Sequence, residues 1–424
     1  MLFLRPQEQV GALAYLHLAE VAALIALAAM AAGRLRRGLP VSKVTPELVA
    51  VVGLGAVILF TAPFSIWPGG AVGTFTELYV KVLLIFVLML NTLTTQARLR
   101  QFVWLLVLAT AYIAFRAVFD YARGVNLIEY GRVQGAVGGM FKNPNDLALN
   151  MVAVLPLAAM LAARRTTAFR RAAAGICIVL IVGAIVASQS RSGTVGLVLM
   201  GLVLAAGLLR RRPGLVGGAL LVALMALPAL PASYWQRIAS IADEDKDQTG
   251  SREARQILLR ESWQAFLAHP LTGVGAGQFK NYNPEQREEA WRESHNVVLQ
   301  VAAELGIAGL ALWGFLVARA AAAPFQTRRL LRRANRRTAG PRDAAPPLAP
   351  GEYDELHMYS VALQAAVAGW FVCALFASVG YHWTFYYLLA LAIAPRQILL
   401  ERAAAVRAAR RRTAPAPVAV GANA

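Results

Sequence analysis

The chain has 424 residues, 58% of them hydrophobic, and a mean hydropathy of +0.52. A soluble domain is nearer half apolar, so an ordinary soluble enzyme is excluded. The formal net charge of +19 does not indicate nucleic acid, because the arginines cluster beside the ends of apolar runs, where cytoplasmic anchors of membrane helices stand.

Apolar runs as long as a membrane-spanning helix recur along the chain, and the alternating strands of a membrane barrel are absent. The expected fold is an all-α polytopic membrane protein. Eleven spans are predicted, at about 12–33, 46–66, 76–95, 99–119, 145–163, 171–188, 193–210, 214–233, 295–320, 358–379 and 382–399. The first is read as a span and not a signal peptide. It is long, its N-terminal flank is barely basic, and "RLRRG" follows it.

Every second connection is basic: "RLRRG" (34–38), "QARLRQ" (96–101), "RRTTAFRR" (164–171), "RRRP" (210–213), "RRLLRRANRR" (328–337) and "RAARRR" (407–412). Between them lie "FSIWPGG" (64–70), the segment 120–145, "SQSRSG" (188–193), the segment 234–294 and "SVGYH" (378–382). The positive-inside rule puts the basic set in the cytoplasm and the other set outside. Eleven spans then leave the C-terminus inside and "MLFLRPQEQ" outside, an unusual start that raises the alternative of a further helix upstream.

The expected organisation is an N-terminal set of helices over 1–233, including the extracytoplasmic loop 120–145. A second extracytoplasmic loop over 234–294 follows, then C-terminal helices over 295–399 with a cytoplasmic linker at 325–357, and a cytoplasmic tail at 400–424. Within the second loop, "SREARQILLRESWQAFLAHP" (251–270) predicts a helix with Leu259, Trp263, Phe266 and Leu267 on one face, ended by Pro270. Arg252 and Arg255, three apart, share another face. Cys177 and Cys373 sit inside apolar runs, giving neither a disulfide framework nor a zinc spacing.

Arg191 stands alone between two apolar runs. The charge pattern makes "SQSRSG" a turn at the outer membrane surface, which leaves Arg191 either a snorkelling anchor or an anion ligand flanked by Ser188, Ser190 and Ser192. His295 is expected to open a helix capped by Ser294 or Asn296, whose N-terminus would keep the imidazole neutral. Its alternative is a capping or interfacial histidine. "GRVQGAVGGMFKNPNDLALN" (131–150) offers Arg132, Lys142, Asn143, Asn145 and Asp146, either as a loop with Asn145 or Asp146 starting a helix or as the lining of an extracytoplasmic cavity. Gly273, Gly275 and Gly277 read as a turn or as a phosphate cradle, the turn being favoured without a P-loop context. "DEDKD" (243–247) reads as a solvated loop rather than a metal site, and Glu304 as structural.

The order of these pieces resembles the O-antigen ligase and repeat-unit polymerase family of bacterial surface-glycan assembly: "GR…G…F.NPN.LA", then "SRSG" between two spans, then a loop arginine upstream of "HPLTGVGAGQF", then "SHNVVLQVAAELGIAGL". The motifs cover roughly 130–320. The resemblance implies a C-type glycosyltransferase of about 11–12 helices in the bacterial inner membrane, working at its periplasmic face without metal or cofactor. It implies a glycan donor on undecaprenyl pyrophosphate and a lipid A-core acceptor, with the lipid bilayer as the other partner. By motif it assigns His295 as the base and Arg191 and Arg255 as catalytic arginines. Leu259 stands where the family has an aromatic, so Arg252 competes with Arg255. Arg132, Lys142, Asn143, Asn145, Ser190, Ser192, Arg252 and Asn296 are the expected substrate-binding residues. The same superfamily includes repeat-unit polymerases and O-linked protein oligosaccharyltransferases. A lipid-linked sugar transporter is the alternative of another class, and mid-span charges and internal repeats, its usual signs, are scarce here.

Overall fold

The computed structural model describes residues 18–128, 131–136, 138–239, 251–282, 292–336 and 348–413. In chain order the helices are α1 (Leu18–Leu35), α2 (Pro46–Thr61), α3 (Pro68–Gly73), α4 (Val80–Thr92), α5 (Gln96–Ala122), α6 (Pro144–Ala163), α7 (Ala168–Ser188), α8 (Arg191–Leu208), α9 (Pro213–Ala226), α10 (Ala232–Ala239), α11 (Ser251–Ala268), α12 (Val297–Arg336), α13 (Pro350–Ala374) and α14 (Trp383–Thr413). A π-helical segment, Thr74–Tyr79, joins α3 to α4. A two-residue hairpin, β1 (Leu127–Ile128) with β2 (Arg132–Val133), lies between α5 and α6.

Nine helices among the described residues are long and apolar enough to cross a membrane, or ten if the bent pair at 213–239 is one span. They meet the expected runs from 46 onward. Of the run at 12–33, the described part forms α1, whose apolar stretch Val21–Leu35 is short for a span. Other differences concern ends. The run at 214–233 bends by 102° between Ala229 and Ala232, where Pro228 and Pro231 interrupt the helical ladder. Helix α12 continues past 320 to Arg336 because "ARAAAAPFQTRRLLRRANR" is rich in good helix formers, and α14 continues past 399 to Thr413 for the same reason.

Three helices make the centre. In α6 nearly every residue from Leu147 to Leu161 is buried, and α13 and α14 are mostly buried beside it. Helix α8 meets α13 closely through Gly196. A Cβ there would lie 2.3 Å from Cys373 Sγ and 3.1 Å from the Gly369 carbonyl oxygen, so only glycine permits this approach. Helix α9 is the opposite case, with Val216 its one buried residue.

The basic connections gather at one end, where the first turns of α13 supply carboxylates. Glu355 receives both Arg100 (3.3 Å) and Arg164 (3.2 Å), Asp354 pairs with Arg212 (2.6 Å), and Glu352 with Arg402 (3.1 Å). Nearby, Glu47 at the start of α2 is fully buried and its Oε1 accepts from Arg319 of α12 (2.6 Å) and Arg396 of α14 (2.7 Å). One carboxylate thus ties three helices.

Removing one partner of a buried ion group strands the others, at a cost of about 3–5 kcal/mol. Glu47→Ala should therefore lower the midpoint of thermal unfolding in detergent markedly. An unchanged midpoint would show that Arg319 and Arg396 do not depend on it.

Candidate functional site

The other end of the bundle is where α6, α8 and α12 all begin, so three positive helix-dipole ends face the same region. Each start is capped by a side chain that the sequence supplies. Asn143 accepts from Asn145 N–H (2.8 Å) at the start of α6, with Pro144 at its first position. The cap is thus Asn143, not Asn145 or Asp146 as the sequence suggested. Ser190 caps α8 by accepting from Gly193 N–H (3.1 Å). Asn296 caps α12 through Val298 and Leu299 N–H, both at 3.0 Å.

Arg191 is the first residue of α8 and not a turn residue. The reversal between α7 and α8 falls on Gln189, which takes the left-handed conformation (φ 48°), leaving Arg191 half-buried at the helix start. Ser188, Ser190 and Ser192 are buried, and their hydroxyls are engaged within the protein. Ser190 Oγ donates to Asn145 Oδ1 (2.8 Å), which also accepts from Arg132 Nη2 (2.9 Å). Arg132 Nε adds a bond to the Ser188 carbonyl (3.3 Å). Arg132, Asn145, Ser190 and Ser192 therefore form one polar cluster, fastening the α7–α8 reversal to the start of α6. Lys142 is exposed and is not part of it.

His295 stands two residues before α12, in the left-handed region (φ 49°). Its backbone N–H donates to Ser378 Oγ (3.0 Å), and Asn296 Nδ2 donates to the Leu375 carbonyl (3.1 Å). The connection after α13 thus holds both residues. The end of α13 reaches the first cluster as well, because Cys373 Sγ donates to the Ser192 carbonyl (3.4 Å). The arginine cluster and the histidine consequently hang on neighbouring residues of one element.

The His295 imidazole is held well below its ordinary value, at about 4, first by burial and then by the charges of Arg255 and Arg292. Burial and two guanidiniums favour the neutral imidazole, causes the sequence did not reveal beside the helix start that it did. Arg255 of α11 is thereby placed within electrostatic reach of His295. The side chain of Arg252 and the acidic patch 243–247 lie outside the described residues.

Some functional candidates were missed by the sequence reading. Glu293, two residues before the histidine, is close enough to Asp146 of α6 for their charges to repel. Its surface is open to water, yet protein crowds its carboxyl, and this desolvation raises its pKa while Lys280 and the Ser378 hydroxyl partly offset the rise. The only signal for Ser378 and Glu293 in the sequence was their membership of the same non-basic set of connections.

The glycine cluster has a different task from phosphate binding. Gly273, Gly275 and Gly277 all have positive φ, and their segment lies against α12 at residues 303–307. Glu304 accepts from Gly277 N–H (2.9 Å) and Phe279 N–H (3.4 Å), and its backbone carbonyl accepts from Gly275 N–H (3.0 Å). Ile307 N–H bonds the Pro270 carbonyl (2.8 Å) across a kink at Gly306 (φ 63°, ψ −161°). The glycine amides that would cradle a phosphate are spent within the protein, those of Gly275 and Gly277 on Glu304 and that of Gly273 on the His269 carbonyl (2.9 Å). On α11, the small residues Ala254, Ser262 and Ala265 and Leu258 pack inward, while Leu259, Trp263 and Leu267 are exposed.

A backbone N–H left buried without its acceptor costs about 1–3 kcal/mol. Glu304→Ala should free the 273–279 segment, seen as faster proteolysis of that loop in the folded protein. Unaltered protease resistance would mean the loop is held by other contacts.

Among the described residues no group of three or more His, Cys, Asp and Glu is placed to hold a metal ion. Residues 176–314 match the family model described as O-antigen ligase, a stretch running from α7 into α12 and carrying Arg191, Arg255 and His295. No curated protein matches the chain.

Proposed function

We propose that this multi-pass membrane protein, with its O-antigen ligase match over residues 176–314, transfers a glycan from undecaprenyl pyrophosphate to a sugar hydroxyl of lipid A-core at the periplasmic face of the inner membrane. The observation that carries the reading is the suspension of His295 and the Arg191 helix start from residues 373–378, with Arg255 beside the imidazole.

In the proposed reaction the acceptor hydroxyl attacks the anomeric carbon as the neutral His295 imidazole takes its proton. The bond from that carbon to the pyrophosphate oxygen breaks, and the pyrophosphate leaves with the electron pair. Direct displacement inverts the anomeric centre. Charge accumulates on the leaving group, where guanidiniums and helix N-termini are worth most because they are in place beforehand. Arg191 at the start of α8 and Arg255 on α11 are assigned that role. Arg132 is a positioning residue that holds Asn145 and the Ser188 carbonyl. No metal enters this scheme.

A bound pyrophosphate would oppose the charges of Arg255 and Arg292 and so raise the basicity of His295 when substrate arrives. A base is then strongest in the complex that needs it. In the free protein its value of about 4 lies below the ordinary 6.5. The base form is therefore complete near neutrality and is lost as pH falls through about 4. The acid limb of kcat/KM, which reports the free protein, should have its midpoint near that value, and a midpoint near 6.5 would count against a desolvated His295.

Purified protein given lipid-linked glycan and lipid A-core should form the joined product. His295→Ala should lower the rate by about 10²–10⁴-fold with the protein still inserted and folded. Arg191→Ala should impair donor use more than Arg191→Lys. Product made only by joining two lipid-linked repeats would replace the ligase reading with a polymerase, and near-normal turnover by His295→Ala would remove the base.

A further inference from the structure

A large cavity lies at the arginine-rich end, lined by none of the residues around His295. It has a volume of about 1570 Å³ and is lined by residues at the starts of α5, α7, α9 and α13, at the end of α6, just after α8 and in the second half of α14. Seven arginines and four carboxylates line it. The carboxylates are already committed: Glu352, Asp354 and Glu355 to the arginine pairs described above, and Glu401 to Lys43. Three lining arginines, Arg165, Arg171 and Arg211, have no carboxylate partner among the described residues. Arg211 instead lies over the Tyr353 ring, 5.5 Å from its centroid. These three guanidiniums are exposed on a wall whose own acids are neutralised, and so are open to an anion from elsewhere.

The walls say which kind of anion. Leu215 and Ile398 supply apolar surface inside the cavity, and Leu215 belongs to α9. Above the cavity α9 is barely packed on the bundle: Leu220, Leu221, Val222, Leu224 and Met225 are 55–73% exposed. A cationic pocket that opens onto the apolar flank of a loosely packed helix fits a phosphate joined to acyl chains better than a free phosphate. We propose that this cavity binds the headgroup of an anionic phospholipid, with its phosphates on Arg165, Arg171 and Arg211 and its chains along α9. Basic pockets between membrane helices on the cytoplasmic side take such headgroups. The lipid would fill the space that the polypeptide leaves beside α9 and hold that helix to the bundle. The inference concerns the end of the molecule away from the transfer site and stands or falls apart from it.

The test is native mass spectrometry of the full-length protein in detergent, titrated separately with cardiolipin, phosphatidylglycerol, phosphatidylcholine and inorganic pyrophosphate. The wild type should retain cardiolipin and phosphatidylglycerol over phosphatidylcholine. Combined Arg165→Gln, Arg171→Gln and Arg211→Gln should weaken the anionic lipids by about tenfold or more. A control with the same charge loss, Arg36→Gln, Arg98→Gln and Arg170→Gln, changes exposed arginines that do not line the cavity and should keep the preference. Equal loss in both triple variants, or no preference in the wild type, would overturn the proposal. So would pyrophosphate displacing the lipid at equal concentration, which would make the site one for a soluble anion. If the cavity variant unfolds, Arg165→Gln alone carries the test, and full retention of lipid by it together with Arg171→Gln alone would overturn the assignment.

Discussion

The bond from His295 N–H to Ser378 Oγ is the one on which the candidate site depends. A histidine with φ 49° is in a sparsely populated conformation that persists only when its surroundings over-determine it. Those surroundings are Ser378, the Leu375 carbonyl that receives Asn296, and the capped start of α12. Further along, Glu304 uses its carboxylate to fix the glycine segment, so the helix that follows His295 also braces the loop next to it.

The two ends of the bundle treat charge differently. At the arginine-rich end, carboxylates and guanidiniums are paired across helices, and Glu47 joins three of them. At the other end, the charges of neighbouring groups bear on one another. Arg255 and Arg292 depress His295, while Asp146 and Glu293 repel each other. The ion pairs of the first end hold helices together, whereas the second brings titratable groups within electrostatic reach of one another.

Much of the fold was legible because membrane burial writes itself into long apolar runs and asymmetric arginines. The order of spans from 46 onward and the grouping of connections by charge followed from that alone. The helix start that favours a neutral His295 is visible in sequence, whereas its burial near Arg255 and Arg292 is a tertiary fact. Arg191 was placed in a turn because serine and glycine mark turns, but Ser190 is equally good as a helix cap, and the left-handed Gln189 made the reversal shorter. Ser378 could not be paired with His295 from the sequence, since nothing local links residues 83 apart. On α11 the periodicity correctly grouped Leu259, Trp263 and Leu267, yet the small-residue face is the one that packs inward.

The interlock of residues 269–279 with 303–307 also sets an order of events during synthesis. The glycine segment emerges first, but three of its amide groups have no partner until Glu304 follows. The His295 backbone must wait longer, until residue 378 has been made. A nascent chain that stops short of residue 378 can therefore insert most of its spans and still lack the bond that holds His295. Under the proposed function, such a truncated product would occupy membrane without using donor.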